Sequence, residues 1–308
     1  MQPIASRIAS GVKLLSDGAW GTLLHEKGLQ PGECPELWNI TRRDAVRDVA
    51  LTYVKAGADL IQTNSFGGSR FKLAQYGCAQ RVREINREAA LISREAAGSR
   101  VHVIASIGPT GTMLITGDVS EAQLFDAFSE QAAALEEGGA DALCIETMSD
   151  PAEAGIAIRA ACEATRCEVI CTFAFEKTIR GEYRTMMGAT PALAIGAAID
   201  AGAAVTGANC GNGIDRMIDI TREIRASAPL VPLLIHANAG MPTSVGGITA
   251  FPHGPRHMAQ ALPLLLTAGA DIVGGCCGTT PDHIRAMRHA MDAFANRNRE
   301  PHHETTAS

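Results

Sequence analysis

One unit recurs eight times along the chain: a short apolar run, a glycine-bearing or polar break, then a long alanine-rich amphipathic segment. The runs are Val12–Ser16, Asp59–Thr63, Val101–Ser106, Ala142–Glu146, Glu168–Phe173, Ala203–Gly207, Val231–His236 and Asp271–Gly274. Apolar runs this short, bounded by turn signals, read as buried strands. Four are introduced by one phrase, KAGAD, EGGAD, DAGAA or TAGAD, in which a glycine closes a helix in left-handed geometry before the strand begins. Strands alternating with helices through short links imply parallel pairing and right-handed crossovers. Eight such units fit a closed barrel better than an open doubly wound sheet, and 308 residues suit one barrel. The expected fold is therefore α/β, a single-domain (β/α)8 TIM barrel over residues 1–295. Residues 296–308, with the His302-His303 pair, read as a disordered tail without assigned function.

In such a barrel the chemistry belongs at the C-terminal ends of the strands. The unusual residues do follow the runs: Asp17-Gly18-Ala19-Trp20-Gly21-Thr22, Asn64-Ser65-Phe66-Gly67-Gly68, Ile107-Gly108-Pro109-Thr110-Gly111 and Glu146-Thr147-Met148-Ser149-Asp150. Further on come Asn209-Cys210-Gly211-Asn212-Gly213, Asn238-Ala239-Gly240 and Gly274-Gly275-Cys276-Cys277-Gly278. One long connection, Met241–Pro255, is rich in Gly, Pro, Ser and Thr and reads as a lid or a surface loop.

Cys276 and Cys277 are adjacent at a strand end, where a disulfide would close a strained small ring. A shared metal suits them better, because zinc takes thiolates in a tetrahedron and a catalytic site keeps one of four positions open. That requires a third ligand, and Cys210, in a Gly/Asn-rich turn after another apolar run, is the candidate. Spacing alone leaves a second reading open, in which all three are small core residues. Cys144 and Cys171 within strands, Cys162 in a helix, and Cys34, Cys78 and Cys167 near connections read as packing.

Taken in order, DGAWGT, GADLIQTNSFGGSRFKL, SIGPTG, IETMSD, GANCGNG, NAGMP and GGCCGTTPDHI resemble the homocysteine S-methyltransferase family across nearly the whole chain. The wording is nearest the homocysteine-binding module of cobalamin-dependent methionine synthase. The resemblance implies zinc held by Cys210, Cys276 and Cys277, which also carry the catalysis. It implies an amino-acid clamp at Asp17, Gly18 and Ala19, with the Asp17 carboxylate near the substrate ammonium and backbone N–H groups near its carboxylate. Asp17 as a turn cap is the alternative. Glu146 ends a buried run and needs a partner, either the substrate ammonium or an Arg or Lys. Thr22 and Asn64 line the pocket or satisfy backbone. Asn238 matches the asparagine that lies near the zinc in the family, but Ala237 stands where a proline is usual. His236 reads as a hydrogen-bonded strand-end residue rather than a ligand. Thr279-Thr280-Pro281 reads as a helix start. The segment GEYRTMMGATP departs from the shorter wording of many family members.

The chemistry asks for such ligands. A free thiol has a pKa of about 8.5, and coordination to a divalent cation removes its proton. The expected activity is a zinc-dependent methyltransferase acting on the thiol of homocysteine to give methionine. The methyl donor is expected to be a methylcobalamin carried by a separate corrinoid protein, since the chain has no Asp-x-His-x-x-Gly element. S-methylmethionine or betaine as donor, another thiol as acceptor, a barrel with structural zinc, and a redox enzyme cycling Cys276 and Cys277 are the alternatives. With a net charge of −6 and no basic stripe, a nucleic-acid partner is excluded. No run approaches ~18 apolar residues, and nine irregularly spaced cysteines suit reduced thiols; the expected location is cytoplasmic.

Overall fold

A computed structural model describes residues 1–245 and 248–297, so the tail from 298 lies outside the described residues. Eight parallel strands form the barrel: β1 (Leu14–Leu15), β2 (Leu60–Ile61), β3 (His102–Ile107), β4 (Ala142–Met148), β5 (Glu168–Phe173), β6 (Val205–Gly213), β7 (Leu233–Asn238) and β8 (Ile272–Gly275). They pair in chain order, β8 pairs with β1, and a bridge between Ser16 and Leu60 closes the ring. Eight helices surround it: α1 (Arg43–Ala56), α2 (Val82–Ala97), α3 (Glu121–Glu137), α4 (Pro151–Ala164), α5 (Pro191–Ala201), α6 (Ile214–Ser227), α7 (Pro255–Thr267) and α8 (Pro281–Arg297). This is the expected (β/α)8 barrel. Among the described residues, no helix is long and apolar enough to cross a membrane.

The repeated phrase does more than stop helices. Gly57, Gly139, Gly202 and Gly269 have φ of 97°, 97°, 111° and 113°, as the helix-stop reading required. The aspartate that follows in three of the four phrases stitches the barrel floor. Asp59, Asp141 and Asp271 each accept a neighbouring strand's N–H, from Leu15 (2.9 Å), Val103 (2.7 Å) and Leu233 (3.0 Å). Each also meets an arginine: Arg288 on α8 with Asp59, Arg94 on α2 with Asp141, and Arg225 on α6 with Asp271. Where the phrase has Ala204 instead, only the backbone bond from Ala204 N–H to Val169 O (2.8 Å) remains.

Side chains alternate along a strand, so residues two and four beyond an inward anchor also face the barrel axis. One inward residue of each strand forms an apolar layer: Leu14, Leu60, Ile104, Ala142, Ile170, Val205, Leu234 and Ile272. Ile4, in a helix spanning Ile4–Ala9, packs into that layer. The helix is held there because the Glu168 carboxylate accepts the N–H groups of Ile4 and Ala5, satisfying donors that a helix start leaves open. Two residues further along each strand the interior becomes polar or open: Ser16, Gln62, Ser106, Cys144, Thr172, Gly207, His236 and Gly274. Gly274 has to be bare, since a Cβ there would lie 2.9 Å from the Asp17 carbonyl oxygen and 2.8 Å from the His236 ring.

Two strands carry irregularities that the sequence reading did not contain. β4 continues past Glu146 to Met148, and β6 continues past Gly207 through the segment read as a turn to Gly213. Each contains a register shift, and each shift holds a non-glycine residue with positive φ, Thr147 (59°) in β4 and Cys210 (60°) in β6. These are β-bulges, which keep a strand paired while re-aiming a side chain. Periodicity cannot reveal them, because they break the period.

Ile4 is fully buried in the floor layer. Ile4→Ala is expected to destabilise the protein by about 2–4 kcal/mol. The check is the urea unfolding midpoint at unchanged slope; a loss within error would show that the helix is not part of the folded core.

Candidate metal and substrate site

The side chains four residues beyond the apolar layer are those that chemistry would use: Glu146 on β4, Asn209 on β6, Asn238 on β7 and Cys276 just past β8. Cys210, one residue beyond Asn209, has the outward parity. The bulge turns it back, so its sulfur lies 3.7 Å from that of Cys277, and the three cysteine sulfurs fall within 4.8 Å of one another. Zinc–sulfur bonds of about 2.3 Å at tetrahedral angles put sulfurs roughly 3.8 Å apart. The trio expected from sequence is therefore assembled at a spacing that fits one zinc ion. Cys277 is the most open of the three.

The protonation pattern agrees with that fit. The Cys276 and Cys277 thiols, the Gly211 N–H and the Asn238 amide all face the Cys210 sulfur, pushing its pKa down to about 3 despite burial. Cys277, beside that negative sulfur, is pushed up to about 11, and Cys276 also rises. One thiolate is thus stabilised by two thiols. All three deprotonate together only if a cation offsets their repulsion. The Asn238 side-chain oxygen is buried with no hydrogen-bond partner among the described residues, a cost that a cation at the sulfurs would relieve.

Two buried carboxylates face the same mouth. Asp17 accepts Gln62 N–H (2.7 Å), Trp20 Nε1 (2.8 Å) and Ser16 Oγ (3.2 Å). Glu146 accepts Gln62 Nε2 (2.7 Å), the Ser106 hydroxyl and Asn209 Nδ2 (3.4 Å). Among the described residues neither has an Arg or Lys partner. Burial pushes both up to about 7, and repulsion from Asp17 adds to the rise at Glu146. Gln62, which links the two, was not singled out in the sequence, nor was Ser106, and Asn209 entered only as part of the segment after the sixth run. Their only signal is parity: each is an inward residue beyond an apolar anchor.

Asn209 joins the carboxylate to the sulfurs. Its oxygen accepts Thr147 N–H (2.8 Å) and Thr172 Oγ1 (2.7 Å), and its nitrogen donates to Thr147 Oγ1 (2.7 Å) and Glu146. It thereby locks the β4 bulge against the β6 bulge. Positive φ at a β-branched residue such as Thr147 costs on the order of 1–3 kcal/mol, and these bonds offset it.

The Asp17–Ala19 loop is tied to the cysteine segment. Thr279 Oγ1 donates to Cys276 O (2.7 Å) and accepts Ala19 N–H (3.1 Å), while Tyr53 OH donates to Ala19 O (2.8 Å). A Cβ on Gly18 would come within 2.7 Å of Thr279 Oγ1. Of the loop amides expected near a substrate carboxylate, that of Ala19 is thus committed to Thr279. Thr22 is half-buried in the helix Trp20–Glu26. Asn64 donates to Pro35 O (2.7 Å) and Asn39 Oδ1 (3.0 Å), so its amide secures the neighbouring loop. His236 stands apart from the sulfur group. It is buried and held neutral, its pKa pushed down to about 4 by desolvation, and among the described residues its Nε2 lacks the hydrogen bond expected of it.

Glu146 titrates at 4.5 when unperturbed and about 7 here. Below that window both folded and unfolded states hold the proton, and above it neither does. Between, only the folded state holds it, so Glu146 lowers stability as pH rises from 4.5 to 7. His236, depressed from 6.5 to about 4, contributes with the opposite sign over 4 to 6.5. The informative quantity is therefore the difference between parent and Glu146→Gln. Denaturation of the metal-free proteins is expected to show the parent losing stability relative to the variant across this window. A constant difference would mean that Glu146 does not hold a proton on folding.

The family model for homocysteine S-methyltransferase matches residues 14–291. Methionine synthase of Mycobacterium leprae is 31% identical over 309 residues, covering 94% of this chain and 25% of that protein. Methionine synthase of Mycobacterium tuberculosis is 31% identical over 310 residues, covering 96% and 26%. The chain thus spans about a quarter of the length of these relatives. Among solved structures, the metallated form of the homocysteine methyltransferase MmuM from Escherichia coli is similar at a TM-score of 0.73 and 23% identity, over 94% of this chain and 99% of that one, a likeness of fold. The family match over nearly the whole barrel and the two relatives agree with the assembled cysteine trio: this chain belongs to the homocysteine S-methyltransferase family.

Proposed function

We propose that the chain transfers a methyl group to the thiol of homocysteine, giving methionine. The observation that carries this reading is the placement of three sulfurs, on β6 and after β8, at the same mouth as two buried carboxylates that have no cationic partner among the described residues. Zinc held by Cys210, Cys276 and Cys277, with Asn238 beside them, would supply the Lewis acidity that keeps an alkyl thiol deprotonated at neutral pH.

The chain's own residues then orient the amino acid. Asp17 and Glu146 ionise when an ammonium group arrives, because the cation supplies the charge that burial denies them. Gln62 and Ser106 both donate to Glu146 Oε1 and Asn209 to Oε2, so the carboxylate is held in one orientation. The new sulfur–methyl bond forms as the donor's methyl bond breaks, its electron pair leaving with the donor, and the thiol proton passes to solvent. Asn209 keeps the carboxylate and the cysteine at a fixed separation, which positions the thiol for in-line attack.

The donor in this reading is a methylcorrinoid presented by a separate protein. It is supported by the rim of the mouth, where Met113 and Ile115 after β3, and Ile179, Met186 and Met187 after β5, are exposed. The latter three belong to the segment GEYRTMMGATP and its flank, which carries a short hairpin pairing Glu176–Lys177 with Tyr183–Arg184. Large apolar side chains left exposed on two loops at the mouth suit a large docking partner better than a small water-excluding pocket.

Zinc-loaded protein and homocysteine are expected to turn over quickly with a methylated corrinoid protein, slowly with free methylcobalamin, and not with betaine or S-methylmethionine. Efficient turnover with either small donor would overturn the donor assignment while leaving homocysteine as acceptor. Separately, Cys277→Ala is expected to lose zinc and turnover together. Glu146→Gln is expected to keep zinc but raise the KM for homocysteine at least ~10-fold, the loss of one buried charge pair. An unchanged KM would remove Glu146 from the substrate clamp.

A further inference from the structure

A second group of ligating side chains lies outside the sulfur site: Asp215 at the start of α6, His257 in the first turn of α7, and His253 just before α7. His257 Nε2 lies 3.0 Å and His253 Nδ1 lies 3.9 Å from the same Asp215 oxygen, and all three ligand atoms fall within 4.8 Å of one another. First-row ions with nitrogen and oxygen bonds of about 2.0–2.1 Å place ligand atoms roughly 3.3 Å apart at tetrahedral angles. The two separations straddle that value.

An ordinary ion pair does not account for the arrangement. The bond between His257 and Asp215 would be complete without His253, yet His253 Nδ1 is buried, has no hydrogen-bond partner among the described residues and sits near the same oxygen. The two imidazoles stack with ring centroids 3.9 Å apart, so two protonated rings would repel. The His253 ring occupies a slot between two glycines, where a Cβ on Gly213 or Gly240 would come within 3.2 Å or 3.0 Å of it. Its backbone is fixed on both sides, donating to Ala239 O (2.9 Å) and accepting from His283 Nε2 (2.9 Å). The ring is thus a preorganised ligand with an unused nitrogen, next to a carboxylate and a half-exposed imidazole that solvent ions can reach.

We propose that Asp215, His253 and His257 form a second divalent-metal site, taking one zinc- or cobalt-class ion through two imidazoles and one carboxylate, with the remaining positions open to water. The bound ion fastens the start of α6 to the segment entering α7. That segment reaches the sulfur site through His283, whose Nδ1 accepts the Thr280 N–H (3.0 Å) in the turn after Cys277. The soft three-sulfur site and this nitrogen and oxygen site differ in ligand chemistry, so their occupancies are separable by spectrum.

The test is titration of metal-free full-length protein with Co2+, followed by absorption and by calorimetry. The first equivalent is expected to give the intense near-ultraviolet thiolate-to-cobalt band, and a second saturable equivalent is expected to bind without adding to that band. In Asp215→Asn and in His257→Gln, both changes at partly exposed side chains, the second equivalent is expected to weaken at least ~10-fold, the scale for a lost ligand or its partner. The thiolate band should be unaffected. Excess Co2+ should also raise the thermal midpoint of the parent more than that of either variant. Binding of a single equivalent by the parent, or an equally tight second equivalent in the variants, would overturn the proposal. Both variants retain His302 and His303, so binding at those residues would appear as the second of these results.

Discussion

The Asn209 side chain holds the mouth of this barrel together. It is buried on β6 and spends its amide on four partners, the Thr147 N–H and hydroxyl, the Thr172 hydroxyl and the Glu146 carboxylate. Those bonds sustain two backbone conformations that a strand does not otherwise adopt, at Thr147 and at Cys210. If the β6 bulge relaxed to regular strand, Cys210 would face the helices, and the sulfur trio would be reduced to the two adjacent cysteines. The sulfur trio and the carboxylate pair are therefore one construction with a shared amide between them, and local strain is tolerated because tertiary bonds over-determine it.

The barrel divides its labour along its axis. Below, one apolar side chain from each strand, plugged by Ile4 and bounded by aspartates that bind both strand N–H groups and arginines, gives a closed floor. Above, the same inward rows turn polar within two residues. Conserving shape at the floor and varying chemistry at the mouth is the arrangement that lets this fold host many reactions. The aspartate of the repeated phrase is a floor device, and its replacement by Ala204 costs one strand its side-chain stitch.

Electrostatically the mouth is poised for cations. Asp17, Glu146 and three thiols lie within one cleft, and among the described residues no lysine or arginine answers the carboxylates. Left to themselves they hold protons, the carboxylates near neutrality and two of the thiols well above it. A divalent cation at the sulfurs and an ammonium at the carboxylates are the two positive charges that would release those protons. Each makes the other's negative surroundings less costly, so metal and amino acid suit the same cleft.

Much of this was readable before any coordinates. Eight apolar runs with helical segments between them imposed the barrel, and the glycine of each repeated phrase imposed the helix ends, because period and left-handed geometry are local properties of the chain. The candidate residues Asp17, Glu146, Cys210, Asn238, Cys276 and Cys277 were legible because each follows an apolar run, where a barrel must expose its chemistry. Gln62, Ser106 and Asn209 were not, since an uncharged inward residue looks in sequence like any polar strand-end group. Nor could sequence show that Asn64 secures a neighbouring loop, or that the NCGNG segment remains in the strand. Only the tertiary structure decided those points, because a bulge, a buried amide's partners and the convergence of Asp215 with two histidines from another element all depend on which strands lie side by side.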